Sequence, residues 1–168
     1  MVAQLGASAL AARAHEELLR YWASQRQSGR LPSRADICPE AFKRLLPTVS
    51  LIDVIRQEDG TIDYRQRLAG TGLYSVYGRE ITGMKLTDLY NSTAADYWKA
   101  ELNAVVAERK PRVGSHSMAW RGASHVSTLW LRLPLASDGC EVDMILGYDA
   151  VIGQKAERAV YSSGIRAA

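Results

Sequence analysis

The sequence predicts an α+β protein with five antiparallel strands, several short helices, one long helix and a further helix at the N-terminus. Two dipeptides, Asp59-Gly60 and Asp138-Gly139, lie between strand-like segments and are strong signals for hairpin turns. Hairpins join antiparallel strands, whereas parallel strands need long crossover connections. Between the two hairpin regions, residues 94–109 have apolar side chains at helical spacing, and Pro111 ends that helix.

Composition and charge limit the function classes. The chain has 168 residues, 47% of them hydrophobic and 23% charged, which is typical of a single globular domain. The net charge of +3 is small and spread along the chain, so a nucleic-acid surface is not expected. No apolar run reaches the roughly 20 residues that span a bilayer. The composition, with two cysteines, is not that of a disulfide scaffold, so a reducing cytoplasm is the expected location. We expect binding to neither nucleic acid nor membrane.

The N-terminal part is predicted to be a helix over residues 9–25, because its apolar side chains recur at helical spacing. Gly29, Pro32 and Pro39 then interrupt the chain before a short helix that Pro47 ends. His15, on the first helix, is expected to face solvent. The predicted division is residues 1–46 for this helix and its connection, 47–152 for the main domain, and 153–168 for a C-terminal tail.

The first hairpin has a predicted register. A two-residue turn at Asp59-Gly60 pairs Ile55 with Tyr64, Asp53 with Gln66, and Leu51 with Leu68, all on one face. A buried Asp53 carboxylate needs a partner. Three alternatives satisfy this need. A polar ligand atom binds Asp53, or Gln66 bonds it, or the strand pair is slipped by one residue so that Arg65 or Arg67 points inward.

Three further strands are predicted over residues 112–121, 124–136 and 141–152, with turns at Gly122-Ala123 and Asp138-Gly139. Alternation then sorts their side chains into an inner and an outer face. The inner face collects His116, Met118, Trp120, Leu129, Leu131, Leu133, Met144, Leu146 and Tyr148. The outer face collects Val126, Thr128, Trp130, Arg132, Ile145 and Gly147.

The glycines of residues 70–83 are predicted to be structural. Gly70 and Gly72 begin a G-x-G pattern, but Ser75 occupies the third glycine position of a dinucleotide-binding loop. The strands that follow belong to hairpins, so the required parallel crossover is missing. Thr71 can instead cap a short helix that Gly78 ends in a left-handed conformation.

The sequence resembles the PAS domains, and within them a family of small single-domain PAS-like proteins found in alphaproteobacteria. The resemblance covers residues 15–152 and rests on "GRLPSRADICP", "LLPTVSLIDV", "YRQRLAGTGLYSVYGREITGMKL" and "LRLPLASDGCEVDMILG". It implies that the short and long helices cover one sheet face, with a ligand pocket beneath them. It also implies dimerisation through an N-terminal helix on the outer face, and no fixed set of ligand-binding residues.

The resemblance also bears on cofactors, whose identity stays unknown. A haem-binding PAS domain usually has a histidine on or near the long helix, and residues 94–109 contain none. A flavin photosensor of this class has a reactive cysteine among the short helices, and residues 71–90 contain none. Cys38 and Cys140 lack metal-ligand spacing, and no third ligand converges on His116 and His125, so no metal is expected.

The expected function is a non-enzymatic, stand-alone sensory or interaction module without catalytic residues. It would bind a small molecule between the sheet and the long helix and signal through a protein partner or a homodimer. Ligand contacts are expected from Asp53, Gln66, Tyr77, Trp98, His116, Met118 and Tyr148. A dimer or partner surface is expected from Leu18, Tyr21, Trp22, Trp130 and Ile145. The alternatives are a small enzyme with a PAS-like fold and a structural dimerisation module without a ligand.

Overall fold

A computed structural model of the chain describes residues 2–153, with side chains from residue 6 onward. The helices are α1 (Val2–Ser24), α2 (Leu73–Tyr77), α3 (Leu86–Leu89) and α4 (Ser92–Glu108). The strands are β1 (Val49–Arg56), β2 (Ile62–Ala69), β3 (Arg112–Met118), β4 (Ala123–Leu135) and β5 (Met144–Ile152). They form one antiparallel sheet in the order β2-β1-β5-β4-β3. The predicted α+β class and five-stranded sheet are confirmed.

Local sequence signals set the ends of the helices. The side chain of Asn91 accepts a hydrogen bond from the amide of Ala94 at 3.0 Å, so α4 begins two residues before the predicted start. At the end of α2, Gly78 has a φ of +72°, and its amide donates to the carbonyl of Tyr74 at 2.7 Å. The predicted left-handed stop at Gly78 is therefore present. Three 3-10 helices, Arg34–Asp36, Pro39–Thr48 and Ala119–Arg121, complete the described elements.

The predicted register of the first hairpin is wrong over most of its length. Its turn contains three residues, 58–60, because the amide of Gln57 bonds the carbonyl of Thr61 and the amide of Gly60 bonds that of Gln57. A three-residue turn shifts the pairing by one residue, so Asp53 faces Arg65 and Ile52 faces Gln66. An irregularity between Leu51 and Ile52 then restores the predicted pair of Leu51 with Leu68.

The other two hairpins also differ from the predicted registers. The 3-10 helix Ala119–Arg121 replaces the end of the predicted strand and moves the β3–β4 pairing by one residue, so His116 faces Thr128. Between β4 and β5 the connection is longer than a two-residue turn, and Leu135 is the residue paired with Met144. That shift is two residues, which preserves the alternation of faces along β4 and β5.

The sheet has helices on both sides. The side against α2, α3 and α4, here called the helix face, includes Ser50, Ile52, Tyr64, Gln66, Trp130, Arg132 and Asp149. The opposite side, the α1 face, includes Leu51, Asp53, Leu131, Leu133, Leu146 and Tyr148. The predicted inner and outer faces of β4 and β5 were therefore exchanged. The cause is the shift at the β3–β4 turn, since a one-residue slip moves every side chain to the other face.

Helix α1 covers the α1 face within the same chain. Leu18 and Trp22 are buried, and the indole nitrogen of Trp22 donates to the carbonyl of Pro134 at 2.9 Å. His15 is half-buried rather than solvated, with its ring 5.6 Å from that of Tyr148. Helix α1 shares one hydrophobic core with the sheet. The predicted tail at residues 153–168 lies outside the described residues, apart from Gly153.

Candidate ligand pocket

A small cavity lies between the helix face of the sheet and α2, α3 and α4. Its polar or aromatic lining residues are Ser50, Tyr64, Gln66, Tyr77, Tyr90, Trp98, Arg132 and Asp149, and six aliphatic side chains complete the wall. The cavity measures about 20 Å³. That volume accommodates a water molecule, whereas drug-sized ligands occupy pockets of about 300 Å³ or more. Side chains fill most of the space in this conformation.

A fully buried ion pair lines the cavity. A terminal nitrogen of Arg132, Nη2, donates to Asp149 Oδ1 at 3.0 Å, and both side chains are at most 5% exposed. The other terminal nitrogen, Nη1, donates to the carbonyls of Leu131 and Tyr148 at 3.0 and 3.2 Å. Burial alone would lower the pKa of Arg132, but the charge of Asp149 and the hydrogen bond to it outweigh burial and raise that pKa. The guanidinium is therefore charged at every physiological pH.

Two indole rings flank this guanidinium. Its central carbon lies 4.7 Å from the ring centroid of Trp98 on α4 and 5.8 Å from that of Trp130 on β4. The two rings are 5.4 Å apart. Cation–π attraction is strongest when the cation is desolvated, as it is here. The pair of tryptophans thus holds the Arg132 side chain in place from α4 and from the sheet.

Two buried nitrogens of residues that line the cavity have no hydrogen-bond partner among the described residues: Arg132 Nε and Trp98 Nε1. The indole nitrogen of Trp130, in contrast, donates to the hydroxyl of Tyr97 at 3.1 Å. Buried polar groups without a partner are uncommon and cost free energy. Both unpartnered groups are N–H donors, so the cavity wall lacks acceptors for them.

Two tyrosines close the cavity on the side of α2 and α3. The hydroxyls of Tyr77 and Tyr90 lie 2.6 Å apart and share a hydrogen bond. The ring of Tyr90 stacks on that of Trp98 at 5.9 Å. Burial raises the pKa of Tyr77 and raises that of Tyr90 well above its usual value. Both hydroxyls therefore stay protonated and supply donors and acceptors without charge.

Three of the seven predicted ligand residues line this cavity: Gln66, Tyr77 and Trp98. The side-chain amide nitrogen of Gln66, Nε2, donates to the backbone carbonyl of Leu68 at 3.0 Å. Asp53 lies on the α1 face, where Arg65 and Arg67 donate to its carboxylate at 3.0 and 3.3 Å. The slip by one residue, one of the predicted alternatives, is therefore present, but Arg65 and Arg67 reach Asp53 from exposed positions and do not point inward.

The remaining three predicted ligand residues lie elsewhere. His116 is on the helix face but outside the cavity, stacked on the ring of Tyr97 at 4.2 Å. Burial lowers the pKa of His116. Met118 is buried in a second apolar cluster with Leu73 and Val76. Tyr148 lies on the α1 face, opposite to its predicted side, because of the exchanged faces.

The predicted partner surface is largely buried within the chain. Leu18 and Trp22 pack against the α1 face, and Trp130 and Ile145 are buried on the helix face instead of the outer one. Tyr21 is half-buried, and its hydroxyl accepts from the amide of Cys38 at 2.7 Å. None of the five is among the exposed large apolar side chains of the described chain.

An open groove runs beside the first half of α1. Its volume is about 1110 Å³. We call it the α1 groove; its apolar walls include Leu10, Ala14, Leu45, Pro47, Val76, Met118, Val126 and Tyr148. Leu10 on its rim is 68% exposed. Arg44, also on the rim, pairs with Glu17. This groove is an extended apolar recess on the outside of the described molecule.

The sequence prediction missed the importance of Arg132 and Asp149. Each is a single charge within an apolar strand, in "LWLRLPL" and "MILGYDAVI". Their opposite signs on neighbouring strands could have indicated a buried pair. The exchanged faces concealed it, because Arg132 was placed on the outer face.

Within residues 2–153, no group of three or more His, Cys, Asp or Glu side chains is arranged to hold a metal ion. No described helix combines the length and apolar character needed to cross a bilayer.

Comparison with known proteins supplies the family. A profile described as a PAS domain matches residues 10–149. The PAS domain of Bordetella pertussis BvgS superposes with a TM-score of 0.51 at 17% identity, covering 76% of this chain and 95% of that one. The Rhodobacter sphaeroides LOV protein superposes with a TM-score of 0.46 at 14% identity, covering 76% of this chain and 77% of that one. A PAS domain from Colwellia psychrerythraea superposes with a TM-score of 0.44 at 14% identity, covering 66% of this chain and 89% of that one.

No curated protein sequence matches the chain. The structural similarities are below 25% identity and concern the fold alone. The sequence profile extends over most of the chain, and the observed sheet and its helices have the architecture that the resemblance implied. The chain therefore belongs to the PAS domain family.

Proposed function

We propose that this protein is a non-enzymatic sensory module that binds a small polar molecule between the helix face of the sheet and α4. The observation that carries the proposal is the buried Arg132–Asp149 pair in an otherwise uncharged wall. Replacing a buried ion pair by apolar residues is often neutral or stabilising, so stability alone does not account for it. A role in recognising a polar ligand does.

The same wall supports a non-enzymatic role. The charged side chains that line the cavity are Arg132 and Asp149, and each is bound to the other. The tyrosines are held protonated by their raised pKa values. A general base needs an ionised or readily deprotonated group within reach of substrate. A small enzyme with this fold is therefore the less favoured function.

Ligand entry requires the cavity to open. Tyr77 and Tyr90, on the short segments around α2 and α3, are the side chains whose movement would enlarge it. Displacing their paired hydroxyls changes the packing of α2 against Met118 and Val126 in the second apolar cluster. Several residues of that cluster also line the α1 groove. A ligand in the cavity would in this way alter the α1 groove, which we propose below as the surface used for signalling.

Native mass spectrometry tests the proposal. The native mass of the protein, purified from the cell, is compared with its denatured mass. Additional mass that is lost on denaturation supports a ligand-binding module. A native mass that is a whole multiple of the polypeptide mass, in protein freshly isolated from its own cell, contradicts the ligand-binding function. If that multiple is two, the result favours a structural dimerisation module.

For signalling, we propose a homodimer in which two copies of α1 meet across a two-fold axis. Leu10 lies on the rim of the groove and is exposed. Because a two-fold contact uses the same surface of both copies, the Leu10 side chain of each copy would lie in the groove of the other. Such a contact buries an apolar recess that would otherwise stay in water. A different signalling protein is the competing occupant, and it would leave the isolated protein monomeric.

Two matched substitutions test the dimer. Leu10→Glu places a charge at the proposed contact, whereas Leu19→Glu introduces the same charge nine residues further along α1, on the opposite side of the helix. Light scattering coupled to size-exclusion chromatography reports the mass of each variant. A dimer that Leu10→Glu dissociates and Leu19→Glu preserves supports the arrangement. A monomeric wild-type protein, or equal effects of both substitutions, contradicts it.

A further inference from the structure

The unpartnered nitrogens of two lining residues indicate which atoms a ligand in this cavity would have to supply. Arg132 Nε and Trp98 Nε1 are both donors, and both residues line the same 20 Å³ space. A donor can be satisfied only by an acceptor atom. Oxygen is the common acceptor, and a carbonyl oxygen has two lone pairs and can accept from two donors at once.

The charge of the wall decides between a neutral and an ionised ligand. Arg132 and Asp149 are the charged residues of the lining, and their charges cancel. A carboxylate would add a negative charge to a buried site whose cation already has a partner. An ammonium group would leave the two donors unsatisfied, because it has no acceptor atom, and Asp149, the carboxylate of the lining, is already paired with Arg132. Burying an uncompensated charge costs far more than burying a neutral carbonyl that is hydrogen-bonded.

The shape of the wall favours a flat ligand. Tyr90 stacks on Trp98, and the ring of Trp98 lies against the guanidinium of Arg132. If the Tyr90 ring moves aside, its position is the one a planar group would occupy against Trp98. Aromatic faces bind planar rings through offset stacking.

Resting on the ligand-binding function proposed above, we infer that the ligand is a small, uncharged, planar molecule bearing a carbonyl group. Its carbonyl oxygen accepts hydrogen bonds from Arg132 Nε and Trp98 Nε1. Its ring takes the place of the Tyr90 ring against Trp98. The competing explanation is a single water molecule that satisfies the same donors, for which the cavity has room.

Three probes with one ring and different charges test this class: benzamide, benzoate and benzylamine. Each is titrated into the full-length protein while NMR follows the indole N–H of Trp98 and the Nε–H of Arg132. We expect benzamide to shift both signals and to bind at least about tenfold more tightly than the two ions, because their charge has no partner. Tighter binding of benzoate or benzylamine overturns the inference, as does a lack of response to all three.

Two tryptophan variants separate the hydrogen bond from general packing. Trp98→Phe removes the unpartnered donor and keeps a ring against Arg132, and should weaken benzamide roughly fivefold. Trp130→Phe is the matched control, because its indole nitrogen bonds Tyr97 and Trp130 does not line the cavity. Equal affinity for benzamide in all three proteins overturns the proposed contact. The folded state of each variant is checked by its amide spectrum.

The two proposals fail in different ways. A native ligand of another chemical class, found by mass spectrometry, leaves the sensory function in place and overturns the neutral carbonyl class. If no native ligand is found and none of the three probes shifts the NMR signals, both the sensory function and the neutral carbonyl class are overturned. A crystal structure with a water on Arg132 Nε and Trp98 Nε1, and no change on soaking with benzamide, also overturns the inference.

Discussion

Gly147 lies directly opposite Arg132 on neighbouring strands, and the guanidinium and the hydroxyl of Ser50 fill the space that a side chain at 147 would need. A Cβ added there would lie 2.5 Å from Ser50 Oγ and 3.2 Å from Arg132 Nη1. Glycine at this position therefore makes room for the buried charge on the helix face. The buried position of the Arg132 guanidinium therefore requires a residue without a side chain at position 147 of β5.

Substituting Gly147 by alanine tests this dependence. We expect the free energy of unfolding to fall by about 1–3 kcal/mol, because the methyl group overfills a packed site. Adding Ser50→Ala should recover part of the loss, since Ser50 Oγ is the closest atom. Urea denaturation measures both, with Gly6→Ala as the control, since no atom lies within 4 Å of a Cβ there. Wild-type stability in Gly147→Ala would contradict the packing argument.

The Arg132–Asp149 pair should behave as one unit. Either Arg132→Met or Asp149→Leu leaves an isolated buried charge, and we expect each to cost about 3–5 kcal/mol of unfolding free energy. The double variant leaves no charge and should cost less than either single change. Chemical denaturation of the four proteins completes the cycle. Additive losses would show that the two side chains act independently, contrary to their 3.0 Å contact.

The docking of α1 within its own chain predicts unequal effects along that helix. Trp22 is buried and bonded to Pro134, so Trp22→Ala should lower the unfolding free energy by about 3–5 kcal/mol. Leu10 is exposed, so Leu10→Ala should change it by no more than about 0.5 kcal/mol. Denaturation is followed at a protein concentration where the chain is monomeric. Similar losses for both would mean that α1 does not pack as described.

His15 makes stability depend on pH. Its burial lowers the pKa below the ordinary value of 6.5. A hydrogen bond to the backbone of Leu129 and the charge of Asp149 oppose this shift, and the charge of Arg132 adds to it slightly. The unfolded chain then takes up a proton near pH 6.5 that the folded protein accepts only at lower pH. The contribution of His15 is therefore complete above 6.5 and is lost as pH falls through the folded-state pKa.

Unfolding free energies measured between pH 7 and 5 check this sign. His15→Gln should flatten the decline relative to wild type, because the titrating group is removed. His125→Gln, at an exposed position, controls for the substitution itself. An unchanged slope in His15→Gln would mean that burial of His15 does not oppose its protonation.

Local patterns in the sequence predicted which elements form and in what order. Helical spacing predicted α1 and α4, and Gly78 predicted the end of α2. Such features depend on neighbouring residues, so they can be read from the chain directly. The aromatic residues Tyr77 and Trp98 were also expected in the pocket and do line it. Their role in binding stays a prediction.

The tertiary structure alone decided which side of the sheet each residue faces. A glycine at Gly60 or Gly122 signals a turn but does not state how many residues the turn contains. One additional residue exchanges the faces, because side chains alternate with a period of two. In β1 and β2 this change gave Asp53 its arginine partners. In β4 and β5 it turned Arg132 and Asp149 towards α4, where two tryptophans, a glycine and an opposite charge make their burial possible.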